Sequence, residues 1–273
     1  MIKYFLMKQG FESGGMVLYP ESICPCQSAR QYKDCIKVLE REMKRIRKLT
    51  PTECERLQGF PTDLTKYGKT EEGKIYKISD TQRYKMCGNA VSSNVSKTIL
   101  ESLIPDQVNV MSLFSGCGGT EAKLDERFTI IGHCEIDKYA QDVLRFNHPN
   151  VPIYPNVVDL ANQTDIIETR FDLLTFGYPC QDISISGKQL GEAGQRSSLV
   201  YQVVEIARKY RPKYIFAENV KNHLSVKHEA FFLRVLTAFS ELGYNLDFEV
   251  VNSKDYSLAQ NRERVFIFGK LND

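Results

Sequence analysis

Residues 176–184, FGYPCQDIS, put Cys180 where an apolar run, FDLLTF, gives way to a polar stretch. A cysteine is most often a small buried hydrophobe. Here it follows Gly-Tyr-Pro and precedes Gln-Asp-Ile-Ser, a poor setting for core packing. Nearby arginines or a helix start would favour the thiolate, the nucleophilic form. Glu218 closes a second apolar run, YIFAENV, and Arg262 and Arg264 sit in QNRERVF. A carboxyl desolvated at a strand end can hold a proton and donate it to a ring nitrogen. The alternative is a structural carboxylate paired with one of the arginines.

A second cluster is suited to binding. The stretch FSGCGGT (114–120) follows the apolar run VNVMSL. Glycines there permit a tight turn and let a ligand approach backbone N–H groups. Glu135 ends the next apolar run, where an acidic side chain can accept hydrogen bonds from both hydroxyls of a ribose. The pair points to an adenosine-containing ligand. The plainer reading is a surface glutamate beside an ordinary glycine turn.

These groups need strands to hold them. Residues 108–114, 128–136, 171–176, 214–220, 246–252 and 264–269 read as short apolar strands. Amphipathic stretches at 138–146, 199–210 and 229–242 lie between them. That alternation predicts an α/β fold with a doubly wound, mostly parallel sheet, whose ligands bind at the carboxyl ends of the strands. Upstream, Thr50-Pro51-Thr52-Glu53 supplies a capping box with proline at the first helical position, and Gly59 and Pro61 end that helix. Residues 63–80 read as a polar loop and 89–103 as a second helix. There are no internal repeats.

The 273-residue chain carries a net charge of +2, so bulk charge says little about partners. Residues 37–48, KVLEREMKRIRK, hold six basic and two acidic side chains, either a phosphate-facing stripe or a solvated face. Eight cysteines without a signal-like start are expected to be free thiols. Cys24, Cys26 and Cys35 lack the spacing of a finger-like zinc site, and no metal is expected. No apolar run approaches the roughly 18 residues that span a bilayer, and cytoplasm is the expected location.

Taken together, the motifs resemble those of the DNA cytosine-5 methyltransferases. FSGCGG looks like the family's first motif, GYPCQDIS its catalytic loop, ENV its glutamate motif and QNRERVF its arginine motif. RIRKLTPTECERLQGFP (45–61) is similar to the ninth motif and YKMCGNAVSSNV (84–95) to the tenth. The intervals fit: 38 residues separate Cys180 from Glu218, and 44 separate Glu218 from Arg262. In most of the family the ninth and tenth motifs close the chain. Here they precede the first, which a circular permutation with a short linker at 104–107 explains.

The resemblance implies S-adenosylmethionine as cofactor, with S-adenosylhomocysteine as product, and duplex DNA as partner. Cys180 would add to C6 of a flipped-out cytosine, Glu218 would protonate N3, and Arg264 with Arg262 would hold the base's O2 or the catalytic loop. Phe114, Ser115, Gly116, Cys117, Gly118, Gly119, Glu135, Ile136, Pro179 and Leu199 would form the cofactor site, joined by Asn89 and Val91 of the tenth motif. Gln181, Ser184 and Arg196 are the implied DNA contacts. Two positions depart from the family pattern. Ile136 replaces an aromatic against the adenine, and Asn156 stands where an acidic residue is expected, with Asp159 the alternative if the alignment slips.

The expected organisation is a partial recognition segment or basic extension at 1–46, a ninth- and tenth-motif segment at 47–107, and a catalytic and cofactor-binding core at 108–273. Too little chain remains for a full target-recognition domain. The expectations are therefore a catalytic subunit completed by a second polypeptide, or a self-sufficient enzyme of relaxed specificity. The alternatives are a noncatalytic DNA-binding or regulatory homologue, or an RNA-directed enzyme.

Overall fold

A computed structural model describes residues 17–18, 24–25, 37–40, 45–163, 166–179, 199–226 and 228–272. Four short strands come first: β1 (Val17–Leu18), β2 (Cys24–Pro25), β3 (Lys37–Glu40) and β4 (Arg45–Lys48). The last two pair antiparallel, so the ends of the basic stripe are strands. Helix α1 (Pro51–Leu57) starts as its sequence predicts. Thr50 Oγ1 accepts from Glu53 N–H, and the Glu53 carboxylate accepts from Thr50 N–H at 2.7 Å, a reciprocal cap. Gly59, at φ 78°, turns the chain away.

Residues 63–80 correct the loop expectation. They contain a hairpin of β5 (Tyr67–Lys69) and β6 (Ile75–Lys77), paired antiparallel around a glycine-bearing turn. The strands are too short and too polar to show a period. The expected helix over 89–103 is also divided. Helix α2 (Asp80–Asn89) ends where Ala90 turns extended (ψ 158°), and α3 (Ser93–Leu103) restarts after Ser92. The break leaves residues 90–92 as the link between the two helices.

The core then follows the predicted alternation: β7 (Val108–Leu113), β8 (Phe128–Cys134), α4 (Lys138–Asn147), β9 (Ile153–Tyr154), α5 (Val157–Asn162) and β10 (Leu173–Phe176). It closes with α6 (Leu199–Tyr210), β11 (Tyr214–Val220), α7 (Glu229–Glu241), β12 (Tyr244–Asn252), β13 (Gln260–Asn261) and β14 (Glu263–Leu271). Seven strands form one sheet in the order β12-β14-β11-β10-β7-β8-β9. Pairing is parallel from β11 to β9, and only β14 runs against its neighbours. This is the doubly wound, mostly parallel α/β sheet that the sequence predicts.

Alternate side chains face opposite layers, as the period of two requires. Met111, Leu174, Ile215 and Val265 join α5, α6 and α7 in one cluster. Val110, Leu173, Phe216 and Phe266 meet Val95 and Leu100 of α3 in another. With both faces covered, the central strands read as continuous apolar runs. Each large apolar side chain so buried contributes about 1.5–3 kcal/mol. The segment ahead of the core is thus part of it: α3 covers one face of the sheet and hands the chain to β7 within residues 104–107. Among the described residues no helix is long and apolar enough to cross a membrane.

Candidate active site

The carboxyl ends of β7, β8, β10 and β11 open into one cavity of about 680 Å³. This falls within the roughly 300–1,000 Å³ usual for small-ligand sites.

One wall is the glycine turn. Phe114, Ser115, Gly116, Cys117 and Gly119 line it. Phe114 takes φ 52° and Gly116 φ 55°, so the chain reverses sharply where β7 ends. A non-glycine residue in that region is strained and persists only where its surroundings hold it. Those surroundings are explicit. Ser115 Oγ donates to the Ser112 carbonyl at 2.9 Å. Ser93 and Ser96, both buried on α3, donate to the carbonyls of Gly119 (2.6 Å) and Thr120 (2.7 Å). A Cβ on Gly119 would lie 2.9 Å from the Phe60 ring, so glycine is required for close approach.

Glu135 lies at the end of β8 and also lines the cavity. Its Oε2 accepts from Gly116 N–H at 2.7 Å and its Oε1 from Asp137 N–H at 2.8 Å, which fixes the carboxyl against the turn. Burial raises its pKa, and the two backbone hydrogen bonds work against that rise. Ile136 is on the rim, 79% exposed. Asn89, the last residue of α2, and Val91, in the link to α3, also line the cavity.

The opposite wall carries Glu218, Arg262, Arg264 and Pro179. Glu218 is at the end of β11, with Arg264 paired across from Val220 on the antiparallel β14. Arg264 Nε lies 3.1 Å from Glu218 Oε1, an ion pair without the geometry of a directed hydrogen bond. Burial raises the Glu218 pKa, and the charges of Arg262 and Arg264 oppose the rise. Arg262 is 2% exposed and donates to the Ala90 carbonyl at 2.6 Å, with Gly88 O at 3.4 Å. It thereby ties the wall to the backbone on either side of Asn89, at the end of α2. Asn219 Nδ2 donates to Tyr178 O at 3.0 Å, fixing the backbone two residues before Cys180.

Several expected residues are elsewhere. Gly118 (φ 81°) packs toward Leu144 and His148 and is not among the lining residues. Asn156 caps α5, its Oδ1 accepting from Val158 N–H at 2.9 Å, and neither it nor Asp159 or Leu199 lines the cavity. Cys180, Gln181, Ser184 and Arg196 lie outside the described residues. Among the described residues no group of three or more candidate ligands could hold a metal. Cys24, Cys54, Cys87, Cys117 and Cys134 are buried.

Sequence reasoning missed other lining residues, notably Lys85, Asp137, Thr120 and Thr175. Lys85 Nζ meets Asp137 Oδ2 at 2.6 Å across the cavity mouth. Lys85 lies within the tenth-motif stretch 84–95 and Asp137 two residues after Glu135, so nearness to Asn89 and Glu135 is the available signal.

A family model described as C-5 cytosine-specific DNA methylase matches residues 7–105 and 108–273. The chain belongs to this family. The orphan methyltransferase M.SPRI of Bacillus phage SPR is 38% identical over 166 residues, which is 60% of this chain and 38% of that relative. Type II methyltransferase M.HhaI of Haemophilus parahaemolyticus is 35% identical over 164 residues, 60% of this chain and 49% of that one. Each of these matches spans less than half of the relative's length. Among solved structures, the S. pombe Dnmt2 methyltransferase superposes with a TM-score of 0.47 at 21% identity, covering 61% of this chain and 50% of that one.

Proposed function

We propose that the chain transfers a methyl group from S-adenosylmethionine to C5 of a cytosine flipped out of duplex DNA. The observation that carries this reading is Glu218. A buried carboxyl with a raised pKa, its Oε1 ion-paired with Arg264, opens into the same cavity as the glycine turn and the strand leading to Cys180.

The cavity suits the cofactor in kind: an oriented carboxyl at Glu135, a strained glycine turn with close backbone, and an exposed apolar side chain at Ile136. Those residues, with Asn89 and Val91, would hold it. When bound, it supplies an electrophilic methyl group. Cytosine C5 is a poor nucleophile, so the protein must first make it electron-rich. The Cys180 thiolate adds to C6, and Glu218 delivers its proton to N3 as that bond forms. The resulting enamine carbon takes the methyl. The C5 proton then leaves to a base, the C6–S bond breaks to return the thiolate, and N3 gives its proton back to Glu218. Arg264 holds Glu218 in place and is available to the base's O2. Arg262, bound to the backbone at 88–90, acts from behind as a positioning residue. Gln181, Ser184 and Arg196 are proposed DNA contacts.

We further propose that the family's motif order is circularly permuted here, with a partial recognition segment at 1–46 and the ninth- and tenth-motif segment at 47–107. The docking of α3 on the sheet beside β7 supports this, because it lets one short linker join them.

The test is methyl transfer from labelled S-adenosylmethionine to mixed-sequence duplex DNA by the purified chain, with Cys180→Ala in parallel. Incorporation abolished by the substitution is the expected result. Incorporation that survives it overturns the covalent mechanism. No incorporation with cofactor binding intact assigns the missing step to a second polypeptide carrying recognition. Transfer to RNA alone would replace the DNA reading.

A further inference from the structure

Directly after the glycine turn, the chain buries a carboxyl that the proposed mechanism does not use. Glu121 is 6% exposed. Its Oε1 accepts from Thr175 Oγ1 at 2.6 Å, the Ser112 hydroxyl lies beside the carboxyl, and its buried Oε2 makes no hydrogen bond of good geometry among the described residues. Among the described residues no cation pairs with it. A carboxylate so placed would be a desolvated, uncompensated charge, whereas a carboxylic acid would not.

The placement gives this acid leverage over both walls of the cavity. Thr175 lines the cavity and stands five residues before Cys180 on β10. It is the register partner of Ser112 on β7, whose carbonyl receives Ser115 of the glycine turn. Thr120, next to Glu121, also lines the cavity and is held by Ser96. Glu121 therefore joins the turn after β7 to β10, the strand that precedes Cys180 in the sequence.

We propose that Glu121 is a positioning residue for methyl transfer, acting as a neutral acid that locks Thr175 to the glycine turn and so fixes the spacing between cofactor and nucleophile. The proposal rests on the functional reading above. Misplacing reacting groups by about 1 Å can cost on the order of a hundredfold in rate.

The experiment compares Glu121→Gln and Glu121→Leu with the wild-type chain. Cofactor affinity is read by calorimetry, transfer rate at saturating cofactor by label incorporation, Tm by scanning, and the protonated carboxyl by its infrared C=O band at neutral pH. Glu121→Gln keeps the neutral hydrogen bond and is expected to hold affinity and rate within threefold. Glu121→Leu is expected to weaken cofactor binding at least fivefold and to slow transfer at least tenfold. Both variants lose one carboxylic-acid band present in the wild type. A Leu variant with lower Tm but unchanged affinity and rate overturns the proposal, as does a Gln variant as impaired as Leu, or the absence of the band. A wild-type chain that neither binds the cofactor nor transfers methyl sinks the functional reading itself. If it binds but does not transfer, the affinity and the infrared band decide the role of Glu121.

Discussion

Arg262, the residue between β13 and β14, donates to the carbonyl of Ala90, 172 residues earlier, at 2.6 Å. One buried guanidinium thus joins the loop that enters one wall of the cavity to the strand that forms the other. Replacing it by alanine strips the Gly88 and Ala90 carbonyls of this donor and removes a positive charge near Glu218. We expect Arg262→Ala to cost on the order of 3 kcal/mol in urea unfolding. Arg262→Lys recovers only part, since a point charge cannot reproduce the fork. Destabilisation under about 1 kcal/mol would mean the clamp carries little.

Glu218 must hold a proton to do the work proposed for it. Burial raises its pKa, so the protonated form persists above the usual carboxylate range and is lost as pH rises through the folded value. Transfer should fall along that alkaline limb. Glu218→Gln should lower the rate about 10²–10⁴-fold while cofactor affinity stays within about threefold. A variant as active as wild type would remove Glu218 from the chemistry.

Ile136 offers 79% of its surface at the cavity rim. An aromatic there could stack on an adenine, an interaction worth about 0.5–1.5 kcal/mol. Ile136→Trp should tighten cofactor binding by roughly two- to tenfold on that basis. Unchanged calorimetric affinity would place the adenine elsewhere.

Gly119 and Gly177 should answer differently to alanine. A Cβ on Gly119 meets the Phe60 ring at 2.9 Å and Val91 O at 3.2 Å, whereas one on Gly177 first meets Glu218 O at 3.6 Å. Gly119→Ala should destabilise by about 1–3 kcal/mol through overpacking. Gly177→Ala should leave Tm nearly unchanged.

His133 is fully buried with neither ring nitrogen hydrogen-bonded among the described residues, and burial pushes its pKa down to about 3. The unfolded chain therefore binds a proton near pH 6.5 that the folded chain refuses. Stability from this group is intact above the unfolded value and declines as pH falls toward the folded one. His133→Leu should gain on wild type by about 1.4 kcal/mol per pH unit below 6.5. Parallel stability curves from pH 7.5 to 5 would refute this.

The amino-acid sequence determined the elements whose cause is local. The Thr50 cap, the strand runs of the core and the turn at FSGCGG follow from spacing and residue type, and the structure reproduces them. Glu135, Glu218, Arg262 and Arg264 were legible because each ends or begins a strand at one edge of the sheet. The hairpin at 67–77 and the break at Ala90 were not, since short polar strands and a single extended residue leave no period to detect. Asn156 was assigned by alignment to the cofactor, yet its carbonyl is engaged in capping α5.

Only the tertiary structure decided which distant groups meet. Ser93 and Ser96 read as ordinary helix surface until α3 docks and turns their hydroxyls onto the glycine turn. Glu121 carries no signal in the sequence, and only the fold buries it against Thr175 of β10. The physical reason is the same in each case: hydrogen bonds and desolvation act through space, and their cost or benefit exists only once packing has excluded water.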